Sequence, residues 1–235
     1  MRTQKWIAAC LLLAGAAGAL AQTTPREPLQ NVAQLSASGS VEVQQDLLSI
    51  SMSTTVGGTD AGAVQTQLKQ ALDTALAQAR QAVAPGQMDV RTGNFSLYPR
   101  YGKDGKINGW QGSTELVLEG RDFSRITSTA GKIQTLTLAN VSFALSREQR
   151  ARVEGEAQAL AIERFKAKAG EVSKSFGFNS YTLREVSITA NDQGYPPRPR
   201  MMAMQAKGDM AEAAIPVEAG KSTVLVSVSG SVQMK

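Results

Sequence analysis

MDVRTGNFSLYPRYGKDGKINGWQGSTELVLE, residues Met88 to Glu119, reads as two extended runs around a Lys103-Asp104-Gly105-Lys106 turn. Asp-Gly between alternating segments is a strong hairpin signal, because both residues accept the positive φ that a tight turn needs. In the return run Trp110, Gly112, Thr114, Leu116 and Leu118 share one face, with Gln111, Ser113 and Glu115 opposite. The outgoing run changes phase: Met88, Val90 and Thr92 have one parity, Phe95 and Leu97 the other. A bulge at Gly93-Asn94 inserts one residue and keeps both apolar sets on the buried face. A long, bent hairpin of this kind is a natural sheet centre.

Working outward, the flanks repeat the same grammar. Leu35, Ala37, Gly39, Val41 and Val43 alternate with polar residues. Gln44-Gln45-Asp46 turns the chain, and Leu48, Ile50, Met52, Thr54 and Val56 bring it back, which predicts a second antiparallel hairpin. Thr59 or Asp60 caps a helix whose Val64, Leu68, Leu72, Ala75, Leu76, Ala79 and Val83 form an apolar stripe, stopped by Ala84-Pro85-Gly86. Beyond the central hairpin, Asp122 caps a shorter helix with Phe123, Ile126, Ala130 and Ile133 inward, and Val141, Phe143 and Leu145 make a strand.

Ser146, with Gln149 three residues on, opens the longest helix as a capping box, and Gly177 stands at its C′ position. Val153, Ala157, Leu160, Ala161, Phe165, Ala169, Val172 and Phe176 are the expected inward face. Its polar N-terminal half, with Arg147, Glu148, Arg150, Arg152, Glu154 and Glu156, either projects, packs on another subunit or forms a solvated face. Leu183, Val186 and Ile188 read as a strand, and Val224, Val226, Val228, Val232 and Met234 as a closing one, with a bend at Gly230. Between them Asn191 to Pro216 loses all periodicity, and a loop this long is functional or mobile. The order ββ-α-ββ-α-β-α-β-loop-β predicts an α+β fold with a largely antiparallel sheet, residues 32–235 forming a single domain.

The N-terminus carries its own address. Arg2 and Lys5 precede an apolar run from Trp6 to Leu20, and Ala19-Leu20-Ala21 is an A-x-A site before Gln22. This predicts a secretory signal peptide at residues 1–21, a linker at 22–31, no membrane span after cleavage, and a periplasmic or secreted product. Ile7-Ala8-Ala9-Cys10 lies inside the apolar run and is therefore no acylation site. Cleavage would lower the formal charge from +5 to +3 and take away Cys10, the single cysteine of the chain. No disulfide is then expected in an oxidising compartment. No basic run with interleaved aromatics appears, so nucleic acid is not an expected partner despite the basic balance.

The chemistry is mostly a set of absences. The chain has no histidine, which removes histidine-based nucleophile triads and imidazole metal sites. Carboxylates are scattered singly. Gly131-Lys132 and Gly220-Lys221-Ser222 look like phosphate-loop endings, but the required upstream glycines are Ile126 and Ile215. No catalytic residue and no cofactor is assigned on these grounds. Met201, Met202, Met204 and Met210, near Arg198 and Arg200, are candidates for Cu(I) binding or oxidant scavenging, against a plainer reading as adaptable packing.

The segment Val90 to Leu145, with SGSVEVQQDLLSISMSTT before it and the alanine-rich helix to SFGF after it, resembles the SIMPL-domain family of exported proteins of unknown function. The Pro/Met-rich loop and the ending Ile215-Pro216-Val217-Glu218-Ala219-Gly220 with its valine-rich strand resemble it too. Trp110 departs from the Gly-Tyr usual after the turn. The resemblance implies an envelope protein whose relatives include ring-forming periplasmic immunogenic proteins, members linked to oxidative-stress tolerance, and an animal signalling adaptor. It carries no catalytic residue set. The expected function is that of a non-enzymatic homo-oligomer with a structural or stress-protective role. A metal- or ligand-binding protein using the methionine loop is the alternative, an adaptor the third reading.

Overall fold

The computed structural model describes residues 30–191 and 216–235. The signal-peptide assignment, the linker up to residue 29 and the four loop methionines fall outside these residues. Ten elements follow in the predicted order: β1 (Val32–Gln44), β2 (Leu47–Gly58), α1 (Ala61–Arg80), β3 (Met88–Tyr101), β4 (Ile107–Gly120), α2 (Phe123–Lys132), β5 (Thr137–Ala144), α3 (Arg147–Ser175), β6 (Tyr181–Asn191) and β7 (Lys221–Met234). They make an α+β fold with two antiparallel sheets, one of order β3-β4-β2-β5 and one of order β1-β7-β6.

The central hairpin forms as its sequence dictates. Thr92 pairs with Leu116 and Phe95 with Thr114, so Gly93 and Asn94 together face Glu115, the bulge that the phase change required. Glu115 occupies the space a Cβ at position 93 would need. At the turn Gly105 has φ 74°. Phe95 departs from the expectation: it is exposed, on the edge strand β3. The inner half supplies Met88, Leu116 and Leu118 to a core completed by Leu48, Ile50 and Met52 of β2, Ala75 and Ala79 of α1, and Ile126 and Ala130 of α2. Asp60 caps α1, its carboxylate accepting from Ala63 N at 2.7 Å. A cap of this type contributes about 1 kcal/mol. Val83 falls beyond the helix end and is exposed.

The second expected hairpin does not form. β1 pairs along its whole length with β7, while β2 pairs with β4 and β5. Gln45-Asp46 is a crossing between sheets, not a turn within one. Alternation and turn residues are identical in the two cases; only the partner differs. Leu145 likewise lies just past β5, buried on the way to α3. Gly230 does not break β7, whose register with β1 runs unshifted through it. The irregularity sits across from it, where β6 skips Arg184 between Leu183 and Glu185.

α3 lies over the three-stranded sheet. Its buried residues are Val153, Ala157, Ala161, Phe165, Ala169 and Ser173, one i+4 row of small side chains and a single phenyl ring. Such rows form ridges inclined to the helix axis, which suits a twisted sheet. The N-terminal half therefore packs on its own sheet; Leu160 and Phe176, expected inward, are exposed. Gly177 (φ 82°) closes the helix in a Schellman arrangement, with Phe178 N bonded to Ser173 O and Gly177 N to Lys174 O.

Candidate interaction edge of the three-stranded sheet

Three features of the described residues invite a functional reading, and two resolve into structure. The first is a polar cluster where the chain crosses between sheets. Ser146, buried, donates its hydroxyl to Asp46 Oδ2 at 2.6 Å and its backbone N–H to Asp46 Oδ1 at 2.7 Å. The same hydroxyl accepts from Arg121 at 2.7 Å and from Gln149 N at 3.2 Å. Arg121 also contacts Glu148. Half of the capping box is as expected; the other half is supplied by Asp46 instead of Gln149. Burial is the largest influence on Asp46 and pushes its pKa up, but the two bonds from Ser146 and the Arg121 charge outweigh it and hold the carboxyl below its ordinary 3.8. The hydroxyl proton and both lone pairs of Ser146 are engaged in these bonds. The cluster fastens the start of α3 to the crossing between the sheets. Gln45 adds bonds to Phe143 O at 3.3 Å and Ser222 Oγ at 3.0 Å.

The second is a shallow cleft of about 320 Å³ lined by Gly170, Ser173, Lys174, Asn179, Ser180 and Tyr181. Ser173 Oγ is buried there without a hydrogen-bond partner. Lys174 and Tyr181 line the cleft with it, but no carboxylate does. Among the described residues, no three His, Cys, Asp or Glu side chains gather to hold a metal ion.

The third is the open edge of the small sheet, and it survives scrutiny. Among the described residues β6 pairs only with β7. Ile188 stands opposite Val228 and Leu183 opposite Val232, and both valines are buried in the core beneath α3. Cross-strand partners share a face, so Leu183, Val186 and Ile188 continue the apolar surface that α3 covers one strand away. Here they are 51 %, 45 % and 44 % exposed. The helix is displaced toward the opposite edge. A Cβ on Gly39 of β1 would lie 2.2 Å from Ala157 O and 2.6 Å from Ala161 N, so glycine there lets the helix backbone settle onto β1. Arg164 and Lys168 then reach the backbone carbonyls of Ser38 (2.7 Å) and Ser36 (3.0 Å).

The remaining edges are protected in the ways sheets usually are. β3 carries Pro99 and the Gly93-Asn94 bulge. β5 is short and its register slips opposite Ser51/Met52. β6, TLREVSITA between Tyr181 and Asn191, has neither proline nor lysine; its irregularity and charges are confined to Arg184-Glu185, and Val186 to Ala190 run on without either. The sequence marked Leu183, Val186 and Ile188 as strand residues but gave no sign that they would stay uncovered. The signal lies in Gly39, whose reason is visible only once α3 is in place.

Comparison with known proteins adds a family and little else. No protein among the curated sequences matches the chain. Among solved structures, AtUAH in complex with (S)-hydroxyglycine is similar at 15 % identity with a TM-score of 0.27, over 55 % of this chain and 34 % of that one. AtUAH in complex with glyoxylate gives 15 % and 0.25, over 56 % of this chain and 34 % of that one. The chain thus spans about a third of their length, and likeness at that level supports no argument about site or substrate. The SIMPL family model, described as a protein of unknown function (DUF541), matches residues 33–232, from the second residue of β1 to Val232 within β7. With nearly every described element inside that match, the chain belongs to the SIMPL family.

Proposed function

We propose that this protein is an exported, non-enzymatic component of the cell envelope that works by associating with copies of itself through the β6 edge. The observation that carries the reading is the uncovered strand, with Leu183, Val186 and Ile188 prolonging a core face beyond its helix and only the irregularity and charges at Arg184-Glu185 to blunt the edge. An edge with free backbone donors and acceptors adds another strand readily, and a two-fold pairing of β6 with its copy is self-complementary by symmetry. It would join two three-stranded sheets into one and place apolar strips side by side. The N-terminal charge, apolar run and A-x-A site support export. A structural role follows from association without a catalytic constellation. The edge, rather than the length of α3, now supports self-association, because α3 spends its inward row on its own sheet.

Sedimentation velocity on the purified protein tests this. Concentration-dependent oligomers that dissociate on Val186→Lys support it; a monomer throughout the micromolar range rejects it.

A further inference from the structure

We propose that the outer end of the β3–β4 hairpin is a finger that docks on anionic lipid headgroups. β2 stops pairing with β4 at Gly58 opposite Trp110, so residues beyond Pro99 and Trp110 form an unsupported two-stranded ribbon. It reaches roughly 15 Å past the sheet at the usual strand rise. At the base of the ribbon Leu68 of α1 packs against Gly112 and Val64 against Gly58, opposite Trp110. The register then sets Pro99 opposite Trp110 and Tyr101 opposite Ile107. Tyr101 is 63 % and Ile107 52 % exposed, and Tyr98, one residue out of phase, is 63 % exposed on the other face.

Charge decides what such a finger fits. Between Leu97 and Gln111 the cations are Arg100, Lys103 and Lys106, and the only acid is Asp104. Asp104 turns its carboxylate inward, accepting from Lys106 N at 3.2 Å. None of the three cations forms an ion pair among the described residues. The turn is held by Gly102 N to Lys106 O at 2.8 Å and Gly105 N to Gly102 O at 3.0 Å, so Lys103 and Lys106 sit on an ordered tip, while Arg100 Nη1 lies back at the base, beside Gly57 of β2. Tyrosine and tryptophan rings favour the water–lipid boundary, where an apolar body and a polar edge are both satisfied. Free lysines and arginine beside them match a negative surface. A narrow ribbon carrying Tyr101 and Ile107, with Tyr98 and Trp110 at its base and two lysines at its end, suits insertion between headgroups.

The finger and the β6 edge are on different sheets, so this inference stands apart from self-association. The test is co-sedimentation of the purified protein with phosphatidylglycerol or phosphatidylcholine vesicles, with Trp110 emission as a second readout. Binding to phosphatidylglycerol only, weakening with salt and accompanied by a blue shift, is expected. Arg100→Gln/Lys103→Gln/Lys106→Gln should lower the partition roughly a hundredfold. Tyr98→Ser/Tyr101→Ser/Ile107→Ser should abolish the emission shift, and circular dichroism should report an unchanged fold for both variants. Equal binding to the two lipids, or unaltered binding by either variant, overturns the proposal. So does a finger variant that changes the oligomer while the parent protein ignores vesicles, which would assign the finger to copies of this chain.

Discussion

The two edges of the small sheet, β1 and β6, are built from similar strands and end in opposite states. β1 has a helix pressed onto it, a glycine that permits the contact, and two cationic side chains bonded to its carbonyls. β6 meets the helix through Tyr181, has neither the glycine nor the cationic cover, and leaves three aliphatic side chains about half in water. A single helix cannot cover three strands, so its lateral placement decides which edge is closed. Here the small-residue contact at Gly39 draws it to β1. The lesson is that an interaction surface can be set by a residue on the far side of the sheet.

The largest effect is expected from breaking that contact. Gly39→Val drives a branched side chain into the α3 backbone and should destabilise by about 3 kcal/mol, the upper part of the range for overpacking. Urea denaturation measures it, and the same variant should redistribute hydrogen exchange between β1 and β6 as the helix shifts.

Next comes the fastening at the start of α3. Asp46→Asn weakens two bonds to Ser146, and a loss of about 1–3 kcal/mol is expected. The pH dependence has a definite sign. A folded-state pKa held below 3.8 means the carboxylate stabilises the fold above that pH and the contribution is lost as pH falls through the depressed value. Acid melts of Asp46→Asn should therefore be flatter below about pH 4 than those of the parent, while Asp122, lowered by its bond from Arg125 N, still titrates in both.

A smaller effect sharpens the comparison from the closed side. Arg164→Ala with Lys168→Ala uncovers the Ser36 and Ser38 carbonyls of β1 without touching the core. Thermal stability should change by a few degrees at most, but sedimentation should show new, higher-order species as a second edge becomes available.

Much of this architecture was legible in the residues, for definite reasons. The Gly93-Asn94 bulge showed as a parity change, the Asp60, Asp122 and Ser146 caps as short polar side chains before apolar runs, and Gly177 as a helix stop. All of these are local. What the sequence did not disclose is non-local: that β1 would leave β2 for β7 nearly two hundred residues away, that Asp46 would complete the cap of Ser146, and that α3 would sit off-centre. Leu160, Phe176 and Phe95 follow the same logic, since periodicity names a face but not how far its cover extends. The candidate edge was legible as a strand and illegible as a surface. Met201, Met202, Met204 and Met210 keep the chemistry their thioethers give them, and they lie outside the described residues.

Substitution on β6 itself should cost the least stability, within about 0.5 kcal/mol for an exposed position, and change association the most. The decisive measurement is the sedimentation profile of the parent protein beside Ile188→Lys over the same concentration range. The account predicts oligomers for the parent and a folded monomer for the variant. A parent that stays monomeric, or a variant whose oligomers persist unchanged, would contradict it.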